Sequence, residues 1–142
     1  MLETIQVGDN TIDLKELLQT INRRIEVLLD KDHTIGHAYL MNVTDITSLR
    51  DALVNKIIPL VEEYFYNEYE KIRLVFGDDD ANNKEEDYQI YQEDKDNYNH
   101  KALFGRNVDG YDEKKFYQIN PDLFKYEPEE IPVEIFTKIY KK

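Results

Sequence analysis

Apolar residues return every three or four positions through Leu14, Leu17, Leu18, Ile21, Ile25, Leu28 and Leu29, a period that gathers them on one helical face. This spacing predicts an amphipathic helix over residues 13–31. Asp13 followed by Glu16 reads as its capping box, and the helix is expected to stop near Asp32 and His33, ahead of Gly36, where a chain readily leaves helical geometry. Ile46, Leu49, Leu53 and Ile57 repeat the pattern over 45–57, with Asp45 or Thr47 as the cap. Pro59 has no N–H and crowds the preceding turn, so the helix must kink there or end and restart with the proline in its first turn. Leu60, Val61, Tyr64, Phe65, Tyr69 and Ile72 carry the stripe on toward a stop at Gly77.

Beyond Gly77 the pattern changes. The run from Asp78 to Asp87 holds one small apolar residue among charges and amides, and its self-repulsion predicts a solvated linker or loop. Tyr88 to Gln92 and Phe116 to Ile119 carry aromatic and β-branched residues bounded by Asn, Asp, Gly and Pro, which predicts a small sheet of two or three strands. Ile131, Ile135, Phe136, Ile139 and Tyr140 form a closing amphipathic helix that starts at Pro128 or Pro132. The expected fold class is mainly α, with a minor β-hairpin or small sheet in the C-terminal half. Three parts follow: a helical unit over 1–77, an acidic loop or linker over 78–87, and a tyrosine-rich extension over 88–142 that packs on the first.

Composition narrows the function. A chain of 142 residues suits one domain. Its net charge of −12 works against nonspecific nucleic-acid binding, which draws on Lys and Arg displacing counterions, so no direct nucleic-acid contact is expected. The absence of cysteine excludes disulfides, thiolate catalysis and cysteine-ligated metals. No run approaches the roughly 20 apolar residues that span a bilayer, and no secretory signal is visible. A cytoplasmic protein without membrane contact is expected. Many of the eleven tyrosines lie in the polar second half, which suggests rings half covered by the surface with hydroxyls in water.

Candidate chemistry is sparse. His33 and His37 have the spacing of a helical metal pair, with Asp30 and Asp32 nearby, but Gly36 falls between them and breaks the helix that would align them. Helix-end hydrogen bonds and interface contacts are expected there, and no metal. Asp78, Asp80 and Asn82 imitate the start of a calcium loop, which fails at Asn83 in the sixth position and Gln89 in the twelfth. The five glycines, at positions 8, 36, 77, 105 and 110, are too scattered for a phosphate-binding loop, and no nucleophile motif occurs. No catalytic residue is assigned, and the chain alone is not expected to be an enzyme. Arg23 points toward water, while Arg24 lies at the border of the buried face. Arg24 is left with two readings, a buttress to another helix or a bidentate donor to phosphate.

Two blocks add a resemblance. Asn22-Arg23-Arg24-Ile25-Glu26-Val27-Leu28-Leu29-Asp30-Lys31-Asp32-His33-Thr34-Ile35-Gly36-His37-Ala38-Tyr39 is followed about twenty residues later by Lys56-Ile57-Ile58-Pro59-Leu60-Val61-Glu62-Glu63-Tyr64-Phe65-Tyr66. In this order and separation they resemble the McrB family, the AAA+ motor subunits of modified-cytosine restriction systems, in the part that follows the catalytic core. The likeness covers residues 12–77 and is strongest over 21–39 and 57–66; the remainder matches loosely, through Leu103-Phe104-Gly105 and 135–140.

The resemblance implies that 1–77 is a small helical lid-type subdomain that closes over a nucleotide held by a larger α/β subdomain and touches the neighbouring subunit, a rigid-body movement of the hinge kind. It makes His37 the candidate for contact with phosphate or base edge, Gly36 the site of close backbone approach, and Tyr39 a ring packed beside it; Arg24 completes the nucleotide-sensing candidates. Asn22, Asp32, His33, Pro59, Tyr64 and Phe65 become candidates for subunit contact or lid packing. Where the family has Ser-Tyr-Phe after Gly-His, this chain has Ala38-Tyr39-Leu40, losing a hydroxyl and a ring.

By the same resemblance the chain is a C-terminal fragment of a motor that powers DNA restriction, with no cofactor of its own and GTP or ATP with Mg in the full-length parent. Its expected partners are the AAA+ core domain, neighbouring subunits of a hexamer and a nuclease subunit. The alternative is a free-standing acidic interaction module or DNA-mimic inhibitor with a basic partner. A small hydrolase would require His33 and His37 to converge with acids in a cleft.

Overall fold

The computed structural model describes residues 2–78, 86–94, 100–110 and 115–141. It opens with a hairpin that the helical reading did not foresee: β1 (Thr4–Val7) runs antiparallel to β2 (Asn10–Asp13), with Ile5 opposite Ile12. Gly8 has φ 61° and leads the two-residue connection, as tight hairpin turns with glycine first require. Ile5 and Ile12 are both buried.

Asp13 ends β2 and caps α1 (Leu14–Leu28), its carboxylate accepting the Glu16 N–H at 3.1 Å. Glu16 does not complete the expected box; the Asp13 N–H donates instead to the Tyr140 hydroxyl at 2.9 Å, so a residue near the C-terminus caps the first helix. Leu14, Leu17, Leu18, Ile21 and Ile25 face the core. The helix ends at Leu28, earlier than expected, because Asp30 caps a separate short turn over Lys31–His33.

A reciprocal box opens α2 (Ile46–Ala52): Asp45 accepts the Ser48 N–H at 2.8 Å and the Ser48 hydroxyl accepts the Asp45 N–H at 3.1 Å. The helix continues through a wide π-turn over Leu53–Ile57 into α3 (Ile58–Tyr64). There the Ile58 N–H reaches back to the Leu53 carbonyl, and Pro59, which has no N–H, falls in the first turn of α3. A widened turn thus accommodates the proline without ending the helical path.

The stripe from Leu60 to Ile72 is not one helix. It breaks at Asn67, whose φ is 61°, and resumes as α4 (Tyr69–Val75). Gly77, at φ 73°, stops α4 with a double wrap, the Asp78 N–H bonding the Arg73 carbonyl at 2.9 Å and the Gly77 N–H the Leu74 carbonyl at 3.2 Å.

In the second half β3 (Tyr91–Asp94) pairs antiparallel with β4 (Phe116–Ile119), Tyr91 opposite Ile119, and α5 (His100–Phe104) lies between them in sequence. The closing helix is shorter than expected. Pro128 starts a single turn to Glu130, and α6 spans only Glu134–Thr137. The fold is thus mainly helical with two small antiparallel sheets among the described residues. Leu123, Ile131, Ile135, Phe136 and Ile139 are buried in the same cluster as the apolar faces of α1 to α4. The Tyr117 ring stacks on Tyr69 at 5.0 Å and on Tyr91 at 5.9 Å, with the Arg73 guanidinium 5.9 Å from its centre, which ties the sheet to α4. Tyr91 is buried and donates to Glu62, so it departs from the half-covered pattern expected of the tyrosines.

Asp78 corrects the solvated reading of the acidic run at its first residue. It is 3% exposed, and its carboxylate accepts the N–H groups of Ile90 at 2.7 Å and Tyr91 at 2.8 Å together with the ammonium of Lys138. Lys138 also donates to the Phe76 carbonyl at 2.9 Å. A carboxylate with this many donors and a counter-charge tolerates burial. Asp80, Asn82 and Asn83 lie outside the described residues, and the Asp78 oxygens of the imitation calcium loop are occupied by the protein's own donors.

Candidate functional site

The segment after α1 is built to present four residues. Ile35 and Leu40 are buried, while Gly36, His37, Ala38 and Tyr39 between them are exposed. Asn22 on α1 clasps the near anchor from both sides: its amide donates to the Ile35 carbonyl at 2.9 Å and its carbonyl oxygen accepts the Ile35 N–H at 2.6 Å. Beyond the clasp, Gly36 is extended at φ −71° and ψ 150°, and His37–Leu40 close a short turn in which the Tyr39 N–H bonds the Gly36 carbonyl at 3.2 Å. A Cβ on Gly36 would meet nothing within 4 Å, so the fold itself does not require glycine there.

His33 and His37 stand in separate short turns with extended backbone between them. His33 holds Asp30 through Nδ1 at 2.6 Å and meets the Tyr64 ring edge-on at 5.0 Å. Its hydrogen bond is the main cause that holds the Asp30 carboxyl below its ordinary range. Burial pushes the Tyr64 phenol up, with Tyr39, Glu63 and Asp30 adding to the shift, so Tyr64 lies electrostatically between the helix-end turn and the exposed tip. Among the described residues no three metal-ligating side chains gather as a metal site.

Gly36, His37 and Tyr39 therefore share one tip, with Asn22 as its clasp and His33 and Tyr64 at its side. Arg24 is not brought to it. A helix turns about 100° per residue, which puts Lys15, Gln19 and Asn22 on one flank of α1 and Arg24 and Leu28 on the other. Arg24 Nη1 donates to the Val75 carbonyl at 3.1 Å, a cation on the C-terminal turn of α4, so the buttress is the role seen. Asp32 and Pro59 are exposed, whereas Phe65, at 1% exposure, packs inside the core.

On the tip side, Leu2, Lys15, Leu18, Gln19, Asn22 and His37 line a groove of about 280 Å³. Leu2 and Leu18 give it an apolar wall, the Gln19 amide offers hydrogen bonds, and Lys15 brings a positive charge. Such a groove suits a planar or apolar group that carries negative charge. Lys15 and Gln19 were not singled out from sequence, although their four- and three-residue spacing to Asn22 already put them on one flank.

Residues 13–73 match the family model described as McrB, alpha-helical lid domain. The match starts at the cap of α1 and ends within α4, and so contains the clasp, the tip and Tyr64. No curated protein matches the chain significantly.

Proposed function

We propose, from the match of residues 13–73 to the alpha-helical lid domain of McrB, that the chain is the lid part of an McrB-like AAA+ nucleotide hydrolase. In this reading it senses nucleotide and contacts neighbouring subunits, and it does no chemistry alone. The observation that carries the reading is the tip: four consecutive exposed residues held between two buried anchors, with a side-chain clasp on the first. A sensor must be exposed to meet its ligand and rigid enough to transmit the contact. His37 would meet phosphate or base edge, Gly36 would admit close approach, and Tyr39 would pack beside it.

Asp32, His33, Pro59 and Tyr64 would serve subunit contacts, with Asn22 and Phe65 holding the lid together and Arg24 acting through α4. GTP or ATP with Mg would be held by the AAA+ core, a nuclease subunit would be driven by the assembly, and the three-part division at 77 and 87 belongs to the same proposal.

Two measurements test it. Phosphate release from the purified chain with Mg-GTP or Mg-ATP stays at background; measurable turnover refutes the lid reading. In the motor that contains this lid, His37→Ala lowers nucleotide turnover while leaving the lid folded, and unchanged kcat and KM would remove the tip from nucleotide sensing.

A further inference from the structure

Between the buried side chains of Leu123 and Ile131, seven consecutive residues, Phe124-Lys125-Tyr126-Glu127-Pro128-Glu129-Glu130, lie exposed. Phe124 is 56% exposed and Tyr126 94%. Lone exposed apolar residues are ordinary, but these two rings stand two positions apart and neither packs against the core. The run is nonetheless well held. At its start the Arg50 guanidinium donates to the Leu123 carbonyl at 2.9 Å, and the Asn120 side chain accepts the Asp122 N–H at 2.9 Å. At its end Pro128 opens a short turn, in which the Glu130 N–H bonds the Glu127 carbonyl at 2.9 Å and the Ile131 N–H the Pro128 carbonyl at 3.1 Å. A segment fixed in this way gives up little conformational freedom when a partner binds it.

The charge of the run is as open as its rings. The side chains of Glu127, Glu129 and Glu130 pair with no cation among the described residues. Lys125, the single base in the run, is drawn to Asp122 at 3.8 Å. Glu127 and Glu130 spring from one hydrogen-bonded turn, with Tyr126 next to the first of them.

Aromatic faces carry negative partial charge and attract cations. Beside free carboxylates they match a guanidinium, which is planar, stacks on rings and meets a carboxylate through paired donors. The same chemistry occurs inside this fold, where the Arg73 guanidinium lies 5.9 Å from the centre of the Tyr117 ring.

We infer that residues 124–130 dock an arginine-bearing segment of a protein partner. One guanidinium lies on the Tyr126 ring, and others meet Glu127, Glu129 and Glu130. Nucleic acid and an anionic membrane surface are disfavoured because the same carboxylates repel phosphate. A second copy is disfavoured because two chains of net charge −12 repel each other. The inference is independent of the nucleotide reading, since the run lies outside residues 13–73, which match the lid.

The test titrates the full chain with a capped peptide, Arg-Leu-Arg-Gly-Arg-Leu-Arg, followed by two-dimensional amide NMR, and repeats it with lysine in place of every arginine. Saturable shifts are expected at residues 124–130, weakening with added salt. The lysine peptide should bind about threefold more weakly or worse, because an ammonium has no planar fork. Tyr126→Ala should lower the affinity for the arginine peptide about threefold with the remaining spectrum unchanged, while Tyr126→Phe, which keeps the ring, retains it. Glu127→Gln combined with Glu130→Gln, both at exposed positions, should weaken binding to at least the same degree.

Shifts centred outside residues 124–130, equal binding of the lysine peptide, undiminished binding by Tyr126→Ala, or no saturable change would overturn the inference. Self-association without peptide that Tyr126→Ala abolishes would make the occupant a second copy and overturn it as well.

Discussion

Replacing Asp78 by alanine should be among the most damaging single changes in this chain. The substitution removes the acceptor of the Ile90 and Tyr91 N–H groups and leaves the Lys138 ammonium, whose side chain is 5% exposed, without its counter-charge. Breaking one side of a buried pair costs about 3–5 kcal/mol, against a total stability of roughly 5–15 kcal/mol for a domain. Lys138→Met should cost less, because Asp78 keeps both backbone donors. In the double variant the stranded charge is gone, and what remains unmet is the two N–H groups and the Phe76 carbonyl that Lys138 served, at about 1–3 kcal/mol each before relaxation. The double variant should therefore fall short of the sum of the singles by about 1–3 kcal/mol. Urea unfolding followed by circular dichroism and tyrosine fluorescence measures all four corners of the cycle. An Asp78→Ala cost under about 1 kcal/mol, the range of solvated pairs, or strict additivity of the singles, would refute a buried, coupled hub.

Gly77→Ala forces a Cβ into the left-handed region and to 3.0 Å from Arg24 Nη1, so a loss of at least about 1–2 kcal/mol is expected; a thermal midpoint equal to the parent's would contradict it. Asn22→Ala leaves the Ile35 N–H and carbonyl without their clasp, at a cost of about 1–3 kcal/mol, and should speed hydrogen exchange at residues 35–40 more than in α2. Equal acceleration in both would mean that the clasp does not order the tip. Burial pushes the Tyr91, Tyr117 and Tyr140 phenols above their ordinary value of 10.0. Their contribution to stability is thus full below that pH and falls as pH rises through the folded values, because the unfolded chain ionises first. Lys138, which burial lowers, acts in the opposite sense as pH approaches 10.5. Tyr91→Phe should therefore lessen the alkaline loss in urea midpoints between about pH 9 and 11, and an unaltered slope would count against the assignment.

What the sequence made legible follows from the range of the forces involved. The 3.6-residue period found α1 and α2, Asp13 declared the first cap, and Asp45 was one of two candidates for the second, because these signals are local. The strand at Phe116 emerged from its aromatic and β-branched run for the same reason, whereas the run from Tyr88 to Gln92 overlaps β3 only at Tyr91 and Gln92, Tyr88 closing a short helical turn. The opening hairpin was missed although Gly8-Asp9 between Thr-Ile-Gln-Val and Asn-Thr-Ile-Asp is a turn signal between alternating strands. The break at Asn67 was hidden because the apolar stripe continues across it. Asp78 and Lys138 were illegible in principle: each reads as surface charge until the fold brings them together across 60 positions. Tyr140 is similar, since nothing near it in sequence shows that its hydroxyl replaces half of a capping box 127 positions away.

The polar ties are arranged in series, and this bears on how the tip can act. Asn22 fastens the tip to α1, Arg24 fastens α1 to the end of α4, and Lys138 fastens that same end, through Phe76 and Asp78, to the C-terminal segment. Between these ties the apolar faces share one core, and close-packed interiors transmit displacement with little compression. A push on the residues between Gly36 and Tyr39 therefore moves α1, α4 and the segment around α6 together, instead of being absorbed by bending one loop. Cutting the series at Asn22 should free the tip alone, whereas cutting it at Asp78 should free the C-terminal segment while leaving the clasp intact. The two variants thus separate the tip, the proposed sensing end, from the C-terminal segment to which it is tied.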